Sequence, residues 1–172
     1  MNVLYVISHI EKNKNMLRKF IAFTLIIIVA TSCTKTTDVV DNSAADKKTI
    51  QDYLLANDLT ADSTASGLYY IIHKPGGTYR ANINSQVAAF YKGYLTDSTI
   101  FDQSTYSSDK AATFALKDVI KGWQEGIPLI GVGGKITLLV PSALGYGSVA
   151  KPGIPANSVL IFDIDLVDIY NK

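Results

Sequence analysis

Apolar and polar positions alternate with period two over much of the chain from about Gly67 onward, the pattern of strands with one face buried. In "SVLIFDIDLVD" the alternation puts Leu160, Phe162, Ile164 and Leu166 on one face and Ile161, Asp163 and Asp165 on the other. "KITLLVP" places Ile136, Leu138 and Val140 together in the same way. "GLYYIIHK" and "SQVAAFYKGYL" are two further runs rich in β-branched and aromatic residues. Among these strands "KDVIKGWQEGIPLI" is the one helical candidate, and Gly122 before it and Pro128 within it predict a short helix. Upstream, residues 47–57, "KKTIQDYLLAN", carry Ile50, Tyr53, Leu54 and Leu55 at helical spacing, with Asp46 as the expected N-cap. Four or more antiparallel strands around one short helix predict an α+β fold, the helix covering one sheet face.

The first third reads differently. "MLRKFIAFTLIIIVATSC", residues 16–33, has a basic start, an apolar run from Phe20 to Ala30, small residues and then the only cysteine. The run is too short for a membrane span and fits a signal-peptide core. Its "ATSC" end resembles a bacterial lipoprotein signal, in which Cys33 becomes the lipid-bearing first residue, although Ala30 stands where leucine is usual. Met16 is an alternative start. The expected organisation is a signal over 1–32, a lipidated N-terminus and polar tether over 33–46, a helical lead-in over 47–65 and the main domain over 66–172.

Charge and cysteine content narrow the function. The formal charge is +1, but four of the sixteen basic residues precede Cys33, and without them and Glu11 the balance is 12 basic against 14 acidic residues. That is no footprint for nucleic acid. One cysteine cannot form an internal disulfide or a CxxC metal pair. His73 is the only histidine after Cys33, and a single strand histidine is read as structural. HExxH, GxSxG and a Walker lysine loop are all missing from the sequence. "GVGG" at 131–134 reads as a turn into the next strand, and Asp163, Asp165 and Asp168 as a solvated face rather than a cation site. No metal and no cofactor are expected.

Aromatic residues carry the remaining signal. Tyr91-x-Gly93 is followed by Phe101-Asp102, then by Val119-Ile120-x-Gly122-Trp123-x-Glu125-Gly126, then by Tyr146-Gly147, Pro152-Gly153-Ile154 and a closing Leu160-x-Phe162-Asp163. These motifs, in this order over residues 66–170, resemble the FKBP-type peptidyl-prolyl cis-trans isomerase domain. The resemblance implies a twisted antiparallel sheet wrapped around a short helix, with Trp123 as the floor of an apolar pocket. It implies walls from Tyr91, Phe101 and Phe162, a rim of Val119 and Ile120 whose Ile120 N–H meets a substrate carbonyl, a Tyr146 hydroxyl aimed at the same ligand, Asp102 at the edge and Ile154 as a loop contact. Ala112 stands where many members carry another aromatic, Lys151 where some carry histidine, and no arginine follows "FDQS" to pair with Asp102.

The implied activity is isomerisation of X–Pro bonds in exported or envelope proteins, without metal or covalent intermediate. Implied partners are proline-containing polypeptide clients and a macrolide of the rapamycin kind. The chain is expected to be a monomer held in the bacterial cell envelope by its lipid, facing the periplasm. A membrane-tethered client-binding module, using the same pocket with little catalysis, is the alternative reading.

Overall fold

The structure, a computed structural model, describes residues 42–104 and 111–170. The expected signal, Cys33 and the expected tether as far as residue 41 lie outside the described residues, and the last four residues of that tether are already helical. Seven strands form one antiparallel sheet: β1 (Asp62–Ser63), β2 (Tyr69–Lys74), β3 (Gln86–Tyr94), β4 (Ile100–Gln103), β5 (Ala112–Ala115), β6 (Lys135–Val140) and β7 (Leu160–Tyr170). Their order is β1-β2-β6-β7-β3-β4, and β5 also pairs with β3. β4 takes the C-terminal half of β3 and β5 the N-terminal half.

The long strand β7 is central, and its register sets the site. Phe162 pairs with Gly93 on β3 and with Leu138 on β6, and Ile164 with Tyr91 and Ile136. Leu160, Phe162, Ile164 and Leu166 all enter the main core, as the alternation predicts. A bulge then shifts the phase. Leu166 pairs with Ala89 and Asp168 with Ala88, so Val167 is left over and Ile169 returns to the core side.

Two helices cover the two faces of the sheet. The first, α1 (Ser43–Ala56), packs Ile50 against Leu139, Val159 and Ile161, with Tyr53 and Leu54 beside them. Burying Ile50 completely stabilises by about 1.5–3 kcal/mol. Because α1 lies there, Leu139 is buried on the outer face of β6 while Leu138 and Val140 are buried on the inner one. The helix starts four residues before the predicted Lys47, and Asp46 is not its N-cap: that position is Asn42. Asp46 sits inside the first turns with its carboxylate turned toward Ser142. Leu55, expected on the packing face, is 84% exposed.

The second helix, α2 (Lys121–Gly126), is flanked by 3-10 turns at Leu116–Asp118 and Ile127–Leu129. Gly122 lies within it rather than before it. A Cβ at Gly122 would come within 2.5 Å of Val140 Cγ1, and one at Gly126 within 2.5 Å of Leu138 Cδ2. Their i, i+4 spacing puts both on one face, and with no side chains there the helix lies directly on β6. Pro128 occupies the 3-10 turn that follows, so the α-helix ends before it.

Away from α1 the outer sheet face is polar. Lys92 pairs with Asp163 at 3.7 Å, Lys135 pairs with Asp165, and Thr137 donates to Asp163 at 2.8 Å. Thr137 spends its hydroxyl proton on Asp163, so it accepts from the Nε2–H of His73, 2.8 Å away. His73 is thus tied to the sheet exterior.

Candidate active site

Trp123 enters the core from the first turn of α2. Its N–H donates to the Ile120 carbonyl at 3.0 Å, which tightens the helix start and turns the indole inward. The side chain is 4% exposed. Three rings meet it edge-on: Tyr91 at 5.3 Å, Phe114 at 5.4 Å and Phe162 at 5.5 Å between centroids. Edge-to-face contacts of this kind favour a fixed ring arrangement. The Trp123 Nε1–H has no hydrogen-bond partner among the described residues, so the floor of the site is an aromatic surface with one unused donor.

Above the indole lies a cavity of about 250 Å³. β3 supplies Tyr91, β4 Asp102, β5 Phe114 and β7 Phe162, while the segment entering α2 supplies Asp118, Val119 and Ile120, and the loop after β6, past a 3-10 turn at Ser142–Leu144, supplies Tyr146. Gly93 is required by this geometry. A Cβ there would stand 2.6 Å from Phe101 Cε2 and 2.8 Å from Phe162 Cε1, so the Tyr-x-Gly motif leaves room for two rings. Those rings pack edge-on at 5.5 Å, with Phe101 against Phe162.

Polar groups are few and placed at the edge. The Tyr91 hydroxyl donates to Asp102 Oδ2 at 2.7 Å, filling the role for which no arginine was found. Burial, and then the hydrogen bond to Asp102, keep that hydroxyl protonated well above the ordinary tyrosine range. Tyr146 is 37% exposed and its hydroxyl bonds to no described residue. Ile120 is extended at φ −60°, ψ 153°, and its N–H donates to no group among the described residues. Gln124 braces this rim by donating from Nε2 to the Val119 carbonyl at 2.7 Å and the Lys117 carbonyl at 3.1 Å.

These observations meet a family whose sequence profile matches residues 77–167, that of the FKBP-type peptidyl-prolyl cis-trans isomerases. The chain belongs to this family. Among FKBP-type relatives, FkpA of Buchnera aphidicola (subsp. Schizaphis graminum) is 53% identical over 109 residues, 63% of this chain and 43% of that protein. FkpA of Escherichia coli K12 is 37% identical over 132 residues, 77% of this chain and 48% of that protein. The crystal structure of FkpA from Escherichia coli superposes with a TM-score of 0.67 at 29% identity, covering 99% of this chain and 74% of that one. The chain therefore spans less than half the length of these curated FKBP-type relatives.

Within this FKBP-type domain Tyr91, Asp102, Val119, Ile120, Trp123, Tyr146 and Phe162 converge on the cavity. Phe101 packs edge-on against Phe162 and is not among the residues lining the cavity. Ile154 is 6% exposed within the core cluster and is not a lining residue. The loop passes close to Phe101 at Gly153, where an added Cβ would lie 3.5 Å from Phe101 Cβ. Phe114, on the same strand as Ala112, lines the cavity and reaches Tyr91 and Trp123, whereas Ala112 brings no ring. Asp118 and Gln124 were not predicted. Asp118 lines the cavity and Gln124 braces its rim; both lie within five residues of Trp123, but a polar residue beside a turn carries no signal of either role. Lys151 places Nζ 5.7 Å from the Tyr146 ring centroid, a cation facing an aromatic site residue.

Proposed function

We propose that this chain is a peptidyl-prolyl cis-trans isomerase that acts on X–Pro bonds of exported or envelope polypeptides. The observation that carries the reading is the aromatic floor: a buried indole held edge-on by three rings under a cavity with few polar groups. Rotation about a peptide bond meets a barrier of about 18–20 kcal/mol because resonance is lost on the way. Uncatalysed X–Pro exchange takes roughly tens to hundreds of seconds. The twisted transition state has a less dipolar carbonyl than the planar amide, so a dry aromatic site favours it relative to the ground state. The proline ring sits over Trp123, the Ile120 N–H meets a substrate carbonyl, and the Tyr146 hydroxyl meets the same ligand. Tyr91 and Asp102 satisfy each other, so the Tyr91 hydroxyl is paired at the edge of the site.

A ten-thousandfold acceleration needs only about 5.4 kcal/mol off the barrier. Differential binding of that size asks for no proton transfer or covalent bond. The described lining residues, which include no cysteine, serine, lysine or histidine, suit such chemistry. The same cavity would accept a macrolide of the rapamycin kind. Residues 16–33 support export followed by lipid attachment at Cys33, with the domain acting as a monomer in the cell envelope. A protease-coupled assay on an X–Pro peptide tests the activity. Added protein is expected to accelerate the slow cis-to-trans phase in proportion to its concentration, and the macrolide to suppress that acceleration. If the folded protein leaves the slow phase unchanged yet delays aggregation of an unfolded client, the client-binding reading replaces this one.

A further inference from the structure

We propose that Asp46, on α1 and outside the 77–167 family match, is a positioning residue that sets Tyr146 through the backbone of Ser142. Asp46 is 2% exposed and Ser142 likewise. One carboxylate oxygen accepts both the Ser142 N–H at 2.8 Å and the Ser142 hydroxyl at 2.7 Å, and the other accepts Asn42 Nδ2 at 2.9 Å. A buried charge held by three donors is a rigid fixture, costly to disturb from one side only. Ser142 passes that constraint on. Its carbonyl accepts the N–H of Gly145 at 2.9 Å and of Gly147 at 2.8 Å, the two residues that flank Tyr146. Gly147 in turn accepts from the Asn157 N–H at 2.8 Å, closing the loop over the site. Among the described residues the Tyr146 hydroxyl has no hydrogen-bond partner and only Lys151 stands over its ring, so its aim depends on this backbone.

This inference rests on Tyr146 serving the isomerase site, and two readouts separate the two ideas. The first is amide hydrogen exchange at Gly145 and Gly147, which needs no activity. In folded Asp46→Ala both amides are expected to exchange about tenfold faster or more, while β7 amides keep their protection. The second is a double-mutant cycle on kcat/KM. Asp46→Ala is expected to cost about fivefold in the wild-type background and less than about twofold in Tyr146→Phe, since coupled residues are not additive. Exchanging the partners, Asn42→Asp with Asp46→Asn, keeps an acceptor toward Ser142 and a donor–acceptor pair between the two, and is expected to restore both readouts. Unchanged exchange at Gly147 in a folded Asp46→Ala overturns the proposal, as does an equal loss with and without the Tyr146 hydroxyl. If wild type lacks isomerase activity, the proposed function fails and the exchange result still decides whether Asp46 holds the loop.

Discussion

Trp123 is where a single side chain has most to answer for. Its position in "VIKGWQEG", beside a turn and between a glycine and two polar residues, makes little sense for core filler. It makes sense for a ring presented by a helix start to three others. Trp123→Leu keeps an apolar side chain but loses the flat surface, so kcat/KM is expected to fall at least about tenfold, a change of about 1.4 kcal/mol in the barrier. Far-UV circular dichroism checks that the sheet survives. An undiminished rate in a folded variant would remove the indole from the proposed site. Trp123 is also the only tryptophan, so macrolide binding should change its emission in the wild type. Tyr91→Phe differs in kind, because the ring stays and the hydrogen bond to Asp102 goes. Stability is expected to drop by about 1–2 kcal/mol, read as a shifted urea midpoint.

At the scale of elements, legibility followed how local each cause is. Period-two alternation in β6 and β7 was visible because one face of each strand meets the main core, and the inward residues were identified correctly. The helical periodicity of α1 was visible too, but its true start and the exposure of Leu55 were not. Both depend on where Asp46 and Ile50 dock, against Ser142 and against Leu139 and Ile161, partners about 90 residues or more away. Gly122 was misread for a similar reason. In isolation a glycine argues against a helix interior, whereas here it admits Val140 to the helix surface. Gly122→Ala is therefore expected to cost about 1–3 kcal/mol by overpacking, despite alanine's better helix propensity. Pairing it with Val140→Ala should recover part of that loss. Thermal unfolding of the two single variants and the double variant checks this: strict additivity would mean that Gly122 does not owe its place to Val140.

For the molecule as a whole, pH exposes the proposed mechanism most directly. Among the described cavity residues the ionisable groups are Asp102, Asp118 and two tyrosines, and His73 is held on the outer face by Thr137. With no proton moving in the rate-limiting step, kcat/KM is expected to be flat from about pH 6 to 8, not bell-shaped. A tenfold change across that window, removed by replacing one titratable residue, would show that proton transfer is involved after all. Stability has a different dependence, and it comes from the tyrosines. Burial first, and then the neighbouring carboxylates, raise Tyr91 and Tyr94 above their unfolded value of about 10. Groups raised in the folded state bind protons more tightly there, so their contribution is complete below about pH 10 and disappears as pH climbs through the folded values. Lysines titrate in the same range, and the comparison that isolates Tyr91 is wild type against Tyr91→Phe. Their difference in urea midpoint should stay constant from about pH 7 to 9 and narrow above about pH 10, as unfolded tyrosine begins to ionise and folded Tyr91 does not. A gap that holds its size up to the alkaline limit of folding would mean that the Tyr91 hydroxyl titrates as it does in water, leaving Asp102 unpaired at the edge of the site.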